Sequence, residues 1–377
     1  MAAVKFQTHL LAMLRRLILW GVGLAGLAVA LLFLLQYRSS PIRPVSWRPT
    51  PVLTEWRNLA ATDILANPNR FDCSDKEPES IAVNPQNGDL ATGFADGAIH
   101  LISGRDGMSR TVANTKGLPL GLGFIADSSL VVADAMRGLL HVEESGNVTV
   151  LSTESEGIPL RYADGLVVDT TGRNVYFTDL STRFPPGPVT DFLELIEHSG
   201  TGRLLRYDVQ TRRTTTLLSG LQCANGVALG PGDAYVVVNE TCAYRIQQYW
   251  LSGPLVGNSR VFADGLPGFP DNVTFNGRDK FWVGIPLPRD RLLDGLAGMP
   301  VVRRLLTRFL VAHIAAFPLE PRVLALDLSG RPVARLEGQG PHVYAPITEA
   351  HEVGSRLILA AEAPCLASVP LPAQLLH

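Results

Sequence analysis

The chain is poor in charge, in cysteine and in aromatic residues. Only 18% of its 377 residues are charged against 46% hydrophobic, which excludes a disordered chain and leaves enough apolar surface for a packed core. There is no basic excess. Lys and Arg number 33, Asp and Glu 35, for a net charge of −2, so nothing favours nucleic acid as a partner. Reaction motifs are missing as well. The chain has no G-x-S-x-G elbow and no G-x-x-x-x-G-K-[ST] loop, and His351-Glu352 lacks the second histidine of H-E-x-x-H. Gly21, Gly23 and Gly26 fit G-x-G-x-x-G but lie inside an apolar run with no strand before them, which excludes a dinucleotide fingerprint.

Turn formers are plentiful. With 35 glycines and 27 prolines, short elements are expected and long helical bundles are not. The exception is the N-terminus, where Leu17 to Leu35 form an uncharged apolar run of 19 residues. At 1.5 Å per residue such a helix roughly crosses a hydrocarbon layer of ~30 Å. A cleaved leader is the rival reading, but the run ends in Leu-Leu-Gln-Tyr-Arg, without a small-x-small cleavage site. The expectation is a tail over residues 1–16 and a transmembrane signal anchor over 17–36. Lys5, Arg15 and Arg16 before it balance Arg38, Arg43 and Arg48 after it, so charge does not set the orientation. The short leader and large downstream body favour a single-pass type II protein whose body is lumenal or extracellular. The sequons at Asn147 and Asn239 then become candidate glycosylation sites. Residues 37–57, rich in Pro, Arg and Ser, are expected to be a semi-rigid tether without core residues.

Four cysteines are few but even in number. Cys223 and Cys242 flank an expected hairpin, Val227–Leu229 returning as Tyr235–Val238, whose pairing brings them close. Cys73 and Cys365 lie near opposite ends of the body, where a bond would tie the last strand to the first. Four reduced, buried cysteines remain the alternative, and an oxidising compartment favours the disulfides.

A repeat runs through the body. A short apolar strand, a turn and a second β-rich strand recur, as in Asp164-Gly-Leu-Val-Val with Val175-Tyr-Phe-Thr-Asp179, and Asn225-Gly-Val-Ala-Leu with Tyr235-Val-Val-Val-Asn239. Further copies begin at Glu79, Leu122, Asp271 and Ile347. Steps of 42, 61 and 46 residues separate the starts at Leu122, Asp164, Asn225 and Asp271. A period in the forties with four short strands per unit predicts an all-β, six-bladed β-propeller over residues 58–377. Leu59–Ala66 is the expected source of the last blade's fourth strand. Insertions are expected after Arg183, including Asp191–His198, and between Pro286 and Pro321.

In a propeller the first strand of every blade lines the axis, so the residues that open those strands converge. Here they are Glu79, Asp164, Asn225, Asp271 and Asn272, three carboxylates and two amides. That is the ligand chemistry of Ca²⁺, which takes six to eight oxygens. Glu349 and His351 open the sixth blade as a candidate acid–base pair, with a plain rim pair as the alternative. Leu292, Leu293, Leu296, Val302, Leu305, Leu306, Phe309 and Leu310 have helical spacing, with Arg303, Arg304 and Arg308 mostly off the apolar stripe. They predict a helical lid over one face, which could also touch an anionic membrane.

Asp164-Gly-Leu-Val-Val, Val175 to Phe184, Gly200-Thr-Gly-Arg-Leu-Leu-Arg-Tyr-Asp208, Tyr249-Trp-Leu-Ser-Gly-Pro254 and Leu266-Pro-Gly-Phe-Pro-Asp-Asn272 together resemble the strictosidine synthase-like family. The resemblance runs from about Glu77 to the C-terminus. It implies a six-bladed propeller related to paraoxonases and gluconolactonases, with a channel calcium that binds lactones or esters. Glu79, Asn225, Asp271 and Asn272 match the family's calcium positions, and Asp164 stands where many members have Asn. Paraoxonases carry a histidine at the start of the second blade, where this chain has Leu120. The glutamate that strictosidine synthases use for amine–aldehyde condensation is matched best by Glu349. The expected function is a membrane-anchored, Ca²⁺-dependent lactone or aryl-ester hydrolase in which Glu349 and Asp271 act on the substrate. The alternatives are a non-catalytic propeller that binds a partner or lipid, and the condensation.

Overall fold

Six blades, each built on four antiparallel strands, surround one axis, as the repeat predicts. The computed structural model describes residues 2–73, 76–125, 128–340 and 343–376. Blade 1 comprises Pro78–Val83, Leu90–Phe94, Ala98–Ile102 and Ser109–Asn114, and blade 2 Pro119–Phe124, Leu130–Asp134, Gly138–Val142 and Val148–Ser152. Blade 3 holds Ala163–Val168, Asn174–Asp179, Gly202–Asp208 and Arg213–Leu221; blade 4 holds Ala224–Leu229, Tyr235–Glu240, Arg245–Trp250 and Ser259–Ala263. Blade 5 is Val273–Phe275, Lys280–Gly284, Arg322–Asp327 and Pro332–Glu337. Blade 6 takes Ile347–Val353, Arg356–Ala361 and Leu366–Pro370 from the end of the chain and Asn69–Phe71 from its beginning.

Because each blade is sandwiched between two others, its second strand is apolar on both faces instead of alternating. Val236, Val237 and Val238 are all fully buried. Between blades 1 and 2, Ala91 and Ile99 pack against Leu122, Val132 and Leu140. The first strand of blade 6 lies beside that of blade 1 and closes the ring, which leaves no open sheet edge at the seam. The seam is locked by the Cys73–Cys365 disulfide. The second disulfide, Cys223–Cys242, staples the entry of blade 4 to the end of its second strand. Both pairings are as expected.

Three expectations near the N-terminus change. The strand that completes blade 6 is Asn69–Phe71, not Leu59–Ala66. Ala61–Asp63 instead pairs in parallel with Pro332–Glu337 as a fifth strand of blade 5, because the amides of Ile64 and Leu65 both reach Glu337 O and Leu65 is fully buried. The apolar helix α1, Ala2–Ser39, runs through the expected tail, whose first residue lies outside the described ones. Within Met13–Ser39 its most apolar 18 residues have a mean hydropathy of 2.5 and are not buried, so by length and composition it can span a membrane. The tether does contain core residues. Ile42 and Trp56, the latter in the short helix α2 (Thr54–Asn58), are buried at 0% and 1% exposure among side chains of blades 4 and 5. Trp47 also stacks on His198, with ring centroids 3.8 Å apart. Residues 40–58 thus form a strap lying on the propeller.

Both insertions leave from the same end of the ring. Helix α3, Thr190–Glu197, follows the second strand of blade 3, and α4 (Arg291–Leu296), α5 (Pro300–Leu305) and α6 (Thr307–Ile314) follow that of blade 5. In these blades the end of the second strand faces the start of the first (Ala163 opposite Asp179, Val273 opposite Val283). The helices therefore cap the end where the first strands open. The single expected stripe is broken by Pro300, and Arg303 is not off it: it is 3% exposed. Its two terminal nitrogens donate to carbonyls instead, to Ile196 O at 2.6 Å, Ala297 O at 3.0 Å and Val45 O, while Nε finds no partner among the described residues.

Candidate channel site

The first strands approach one another more closely than side chains allow, and that is why glycine follows the openers. A Cβ on Gly226 would lie 2.4 Å from Asn272 Cα, and one on Gly165 would lie 2.7 Å from Asn225 O. Hydrogen bonds then stitch blade to blade. Thr178 Oγ1 donates to Asn225 O at 2.8 Å, Thr274 Oγ1 to Ala350 O at 2.6 Å and Thr348 Oγ1 to Glu79 O at 2.7 Å; Ser80 Oγ donates to Leu120 O. The main chain at Glu79 and Asn225 is thereby fixed.

Most of the expected set is buried. Asp164, Asn225, Asp271, Asn272 and Glu349 are each 3–7% exposed, and Glu79 is partly buried. Burial is the first cause that pushes the Glu79, Asp164 and Asp271 carboxyls far above their ordinary range. Mutual repulsion follows, Glu79 feeling Asp271 and Glu349, Asp164 feeling Glu79, and Asp271 feeling Asp164. Asn225 opposes this by a side-chain hydrogen bond to Asp271. Glu349 is raised by burial, and His351, whose Nδ1 lies 3.8 Å from Glu349 Oε1, pulls it back. Leu120 occupies the opening of blade 2 as a buried apolar residue.

Three members went unseen in the sequence. Asp191, in the first turn of α3, is raised by burial to about 6 although Tyr162 hydrogen-bonds to it. Tyr162 itself is buried and raised, first by burial and then by Asp191, Asp164 and Glu79. Glu362, in the loop after the second strand of blade 6, adds its charge to Glu79 and Asp271. No local pattern marks these residues, which lie in loops and a cap.

Among the described residues, no three His, Cys, Asp or Glu side chains stand together as a ready ligand cluster. The donor set is mixed, carboxylates interleaved with amides, and its fit to a cation rests on an unpaired acceptor. Asn225 Oδ1 is buried and finds no hydrogen-bond partner among the described residues. An oxygen in that state is costly unless something positive meets it. A hard divalent cation suits this chemistry, with Glu79, Asp164, Asn225, Asp271 and Asn272 as the residues to hold it.

Asn239 is a correction. It is fully buried and donates from Nδ2 to Asp271 O at 2.6 Å, while Thr241 Oγ1 donates to Pro270 O at 2.6 Å. The sequon serves blade packing and is closed to a glycosyltransferase. Asn147, by contrast, is exposed in the turn before the fourth strand of blade 2.

At the far end of the axis a cavity of about 690 Å³ opens between the hairpins at 84–86, 169–172 and 230–233. Its walls include Leu166, Val227 and Phe275, and its inner end reaches Asn272, Glu349 and His351. The channel thus has a capped, acidic end and an open, mostly apolar one.

Comparison with known proteins gives concordant matches. Residues 164–254 match the strictosidine synthase family profile. The adipocyte plasma membrane-associated protein of Gallus gallus is 33% identical over 366 residues, covering 89% of this chain and 85% of that protein. Strictosidine synthase-like 6 of Arabidopsis thaliana is 32% identical over 291 residues, 74% of this chain and 75% of its own. Among solved structures, a gluconolactonase from Xanthomonas campestris superposes with a TM-score of 0.57 at 16% identity, covering 88% of this chain and 98% of that one. The calcium-binding protein regucalcin from Agrobacterium tumefaciens gives 0.54 at 14%, covering 83% and 96%. At these identities the structures speak for the propeller fold.

Proposed function

The chain belongs to the strictosidine synthase-like family, and from that starting point we propose that it is a Ca²⁺-dependent hydrolase of lactones or aryl esters. The observation that carries this is the buried convergence of Glu79, Asp164 and Asp271 with the unpaired Asn225 Oδ1. Propellers of the same fold include a gluconolactonase and a calcium-binding regucalcin, so such a channel can host both properties. When bound, the ion would polarise the substrate carbonyl and stabilise the developing oxyanion. Asn225 and Asn272 offer neutral oxygens, and the three carboxylates set the charge of the site. Glu349 is the group placed to orient water, and burial lets its carboxyl keep a proton that an exposed glutamate would release. His351 Nδ1 lies 3.8 Å from its carboxylate and lines the open half of the channel.

The membrane enters through α1. Its end packs on the cap, where Gln36 Nε2 donates to Leu305 O at 2.6 Å, Ser40 Oγ lies 2.9 Å from Thr307 Oγ1 and Arg304 sits over the Tyr37 ring. Beside this junction Met299, Val301 and Phe309 are more than half exposed, which suits contact with lipid by the 292–310 segment. A relative named for plasma-membrane association and two disulfides support an anchored, type II protein with the propeller in an oxidising, lumenal or extracellular space.

The test is a lactone and aryl-ester panel on the full chain in detergent micelles, with and without chelator. Turnover lost on chelation and in Asp271→Ala is expected. Turnover that survives both would overturn the proposal, as would amine–aldehyde condensation that needs Glu349 and ignores chelation.

A further inference from the structure

Helix α1 and the cap meet at a fixed joint. Leu35 ends the apolar run, and the very next residue touches the cap, where Gln36 Nε2 donates to Leu305 O of α5 at 2.6 Å. The Arg304 guanidinium lies 4.1 Å from the centre of the Tyr37 ring, and Ser40 Oγ meets Thr307 Oγ1 of α6 at 2.9 Å. A bilayer ~40–45 Å thick with a ~30 Å hydrocarbon core leaves about 5–7 Å of headgroup layer on each side. At about 1.5 Å per residue, and with Leu17–Leu35 in hydrocarbon, Gln36 and Tyr37 fall inside that layer and Ser40 at its outer edge. The cap residues they touch fall there too.

The strap holds this posture. Val45 N donates to Glu197 O at 2.9 Å, Trp47 N to Ala297 O at 3.2 Å, Arg43 N to the Glu197 carboxylate at 2.6 Å and Arg183 to Pro41 O at 2.9 Å. Swinging α1 away from the cap means breaking that ladder. The surface around the joint suits headgroups. Val45, Met299, Val301 and Phe309 are 49–56% exposed, and Arg38, Arg43, Arg48 and Arg308 stand exposed as donors for lipid phosphate.

The opposite pole is built differently. The 690 Å³ cavity opens there within a polar rim that includes Gln86, Asp169, Thr170, Thr171 and Asp233. Its volume lies in the range of small-molecule sites, about 300–1,000 Å³, and its inner end reaches Asn272 and Glu349. A first strand such as Ala163–Val168 has six residues. At about 3.3 Å per residue it sets the mouth roughly 20 Å beyond the openers, on the side away from the cap.

We propose that the cap is seated in the headgroup layer of a phospholipid leaflet and that the channel loads from its opposite, water-facing pole. The ligands it admits are then water-borne aryl esters or lactones small enough for the cavity, and esters dissolved in the bilayer are refused. This rests on the anchored hydrolase proposed above and narrows its substrate class.

The experiment uses the full chain in phosphatidylcholine nanodiscs. All four native cysteines are paired, so each exposed substitution gives a single labelling site: Met299→Cys and Val301→Cys on the cap, Gln86→Cys and Thr171→Cys at the mouth. Nitroxide-labelled phosphatidylcholine quenches a fluorophore at both cap sites and leaves it bright at both mouth sites. On the cavity wall, the thiol of Val168→Cys or Val83→Cys reacts with N-ethylmaleimide from the water phase. Phenyl acetate slows that reaction, and a diacylglycerol in the nanodisc does not. Mouth labels quenched as strongly as cap labels, or cap labels left unquenched, overturn the inference. So do wall thiols that phenyl acetate fails to protect or that the diacylglycerol protects. No readout uses turnover or Ca²⁺, so these failures leave the hydrolase and its ion standing. A chain that does not enter nanodiscs overturns the anchor and the inference together.

Discussion

The propeller buries two populations of acids, one at each end of the same turn of backbone. Asp134, Asp179 and Glu240 end the second strands of blades 2, 3 and 4 and are fully buried. Each is answered by donors, although Asp134 Oδ2 finds none among the described residues. Asp134 Oδ1 accepts the amides of Leu118, Met136 and Arg137; Asp179 accepts those of Arg161 and Tyr162 and pairs with Arg203 at 2.6 Å; Glu240 accepts Gln222 N and binds Arg245 and Gln247. Glu79, Asp164 and Asp271 open the first strands a few ångströms away and are answered mainly by one another. Burial is common to both groups, so burial does not separate structure from function. The supply of positive partners does.

The largest effect that sharpens this contrast comes from Asp179→Ala. It strands the buried Arg203 guanidinium and should cost about 3–5 kcal/mol, read as a lower denaturation midpoint in chelator. Asp271→Ala in the same buffer should leave stability unchanged or raise it, because it removes a repelling charge. An equal loss in both variants would erase the distinction. Next is the ion itself. Ca²⁺ at a hundredfold excess over its Kd should stabilise the native protein by about 2.7 kcal/mol, in differential scanning calorimetry, and do nothing for Asp271→Ala.

A smaller effect lies in pH. The channel carboxyls hold protons more tightly folded than unfolded, so their contribution is present at low pH and declines as pH rises. For Asp191 the window runs from 3.8 to about 6. In chelator, stability should therefore slope downward across that range, and Ca²⁺ should flatten the slope; an upward slope from these groups would contradict their assignment. The smallest effect is expected at the surface. Asp208 pairs with the half-exposed Arg173, and Asp208→Asn should not move the midpoint measurably.

How much of this was legible in the sequence follows from what each residue depends on. The blades and the channel openers obey a repeat, so Asp164 and Asn225 announce themselves by position, and the cysteine pairs flank a hairpin and the two ends of the body. Asn239 carries a sequon that is also local, yet the acceptor that buries it, Asp271 O, lies in the next blade. Ile42 and Trp56 sit in a stretch whose composition reads as a linker, and their burial is created by side chains of α3, α4, α6 and blades 4 and 5. Arg303 looked like surface charge because its partners are carbonyls, which no residue type reveals. Asp191 and Glu362 lie outside the repeating unit altogether. Periodic features were readable, and features made by an insertion meeting a distant segment were not.

The seam between the chain's two ends also decides how the molecule carries load. A pull on α1 passes along the strap, through the parallel strand at 61–63 and then to the strand at 69–71. Beyond it stands the covalent bond from Cys73 to Cys365, which diverts tension into the last blade before it can peel the first. In the oxidised state traction therefore strips the wrapping and spares the wheel; once that link is reduced, the same force has a route to unzip it.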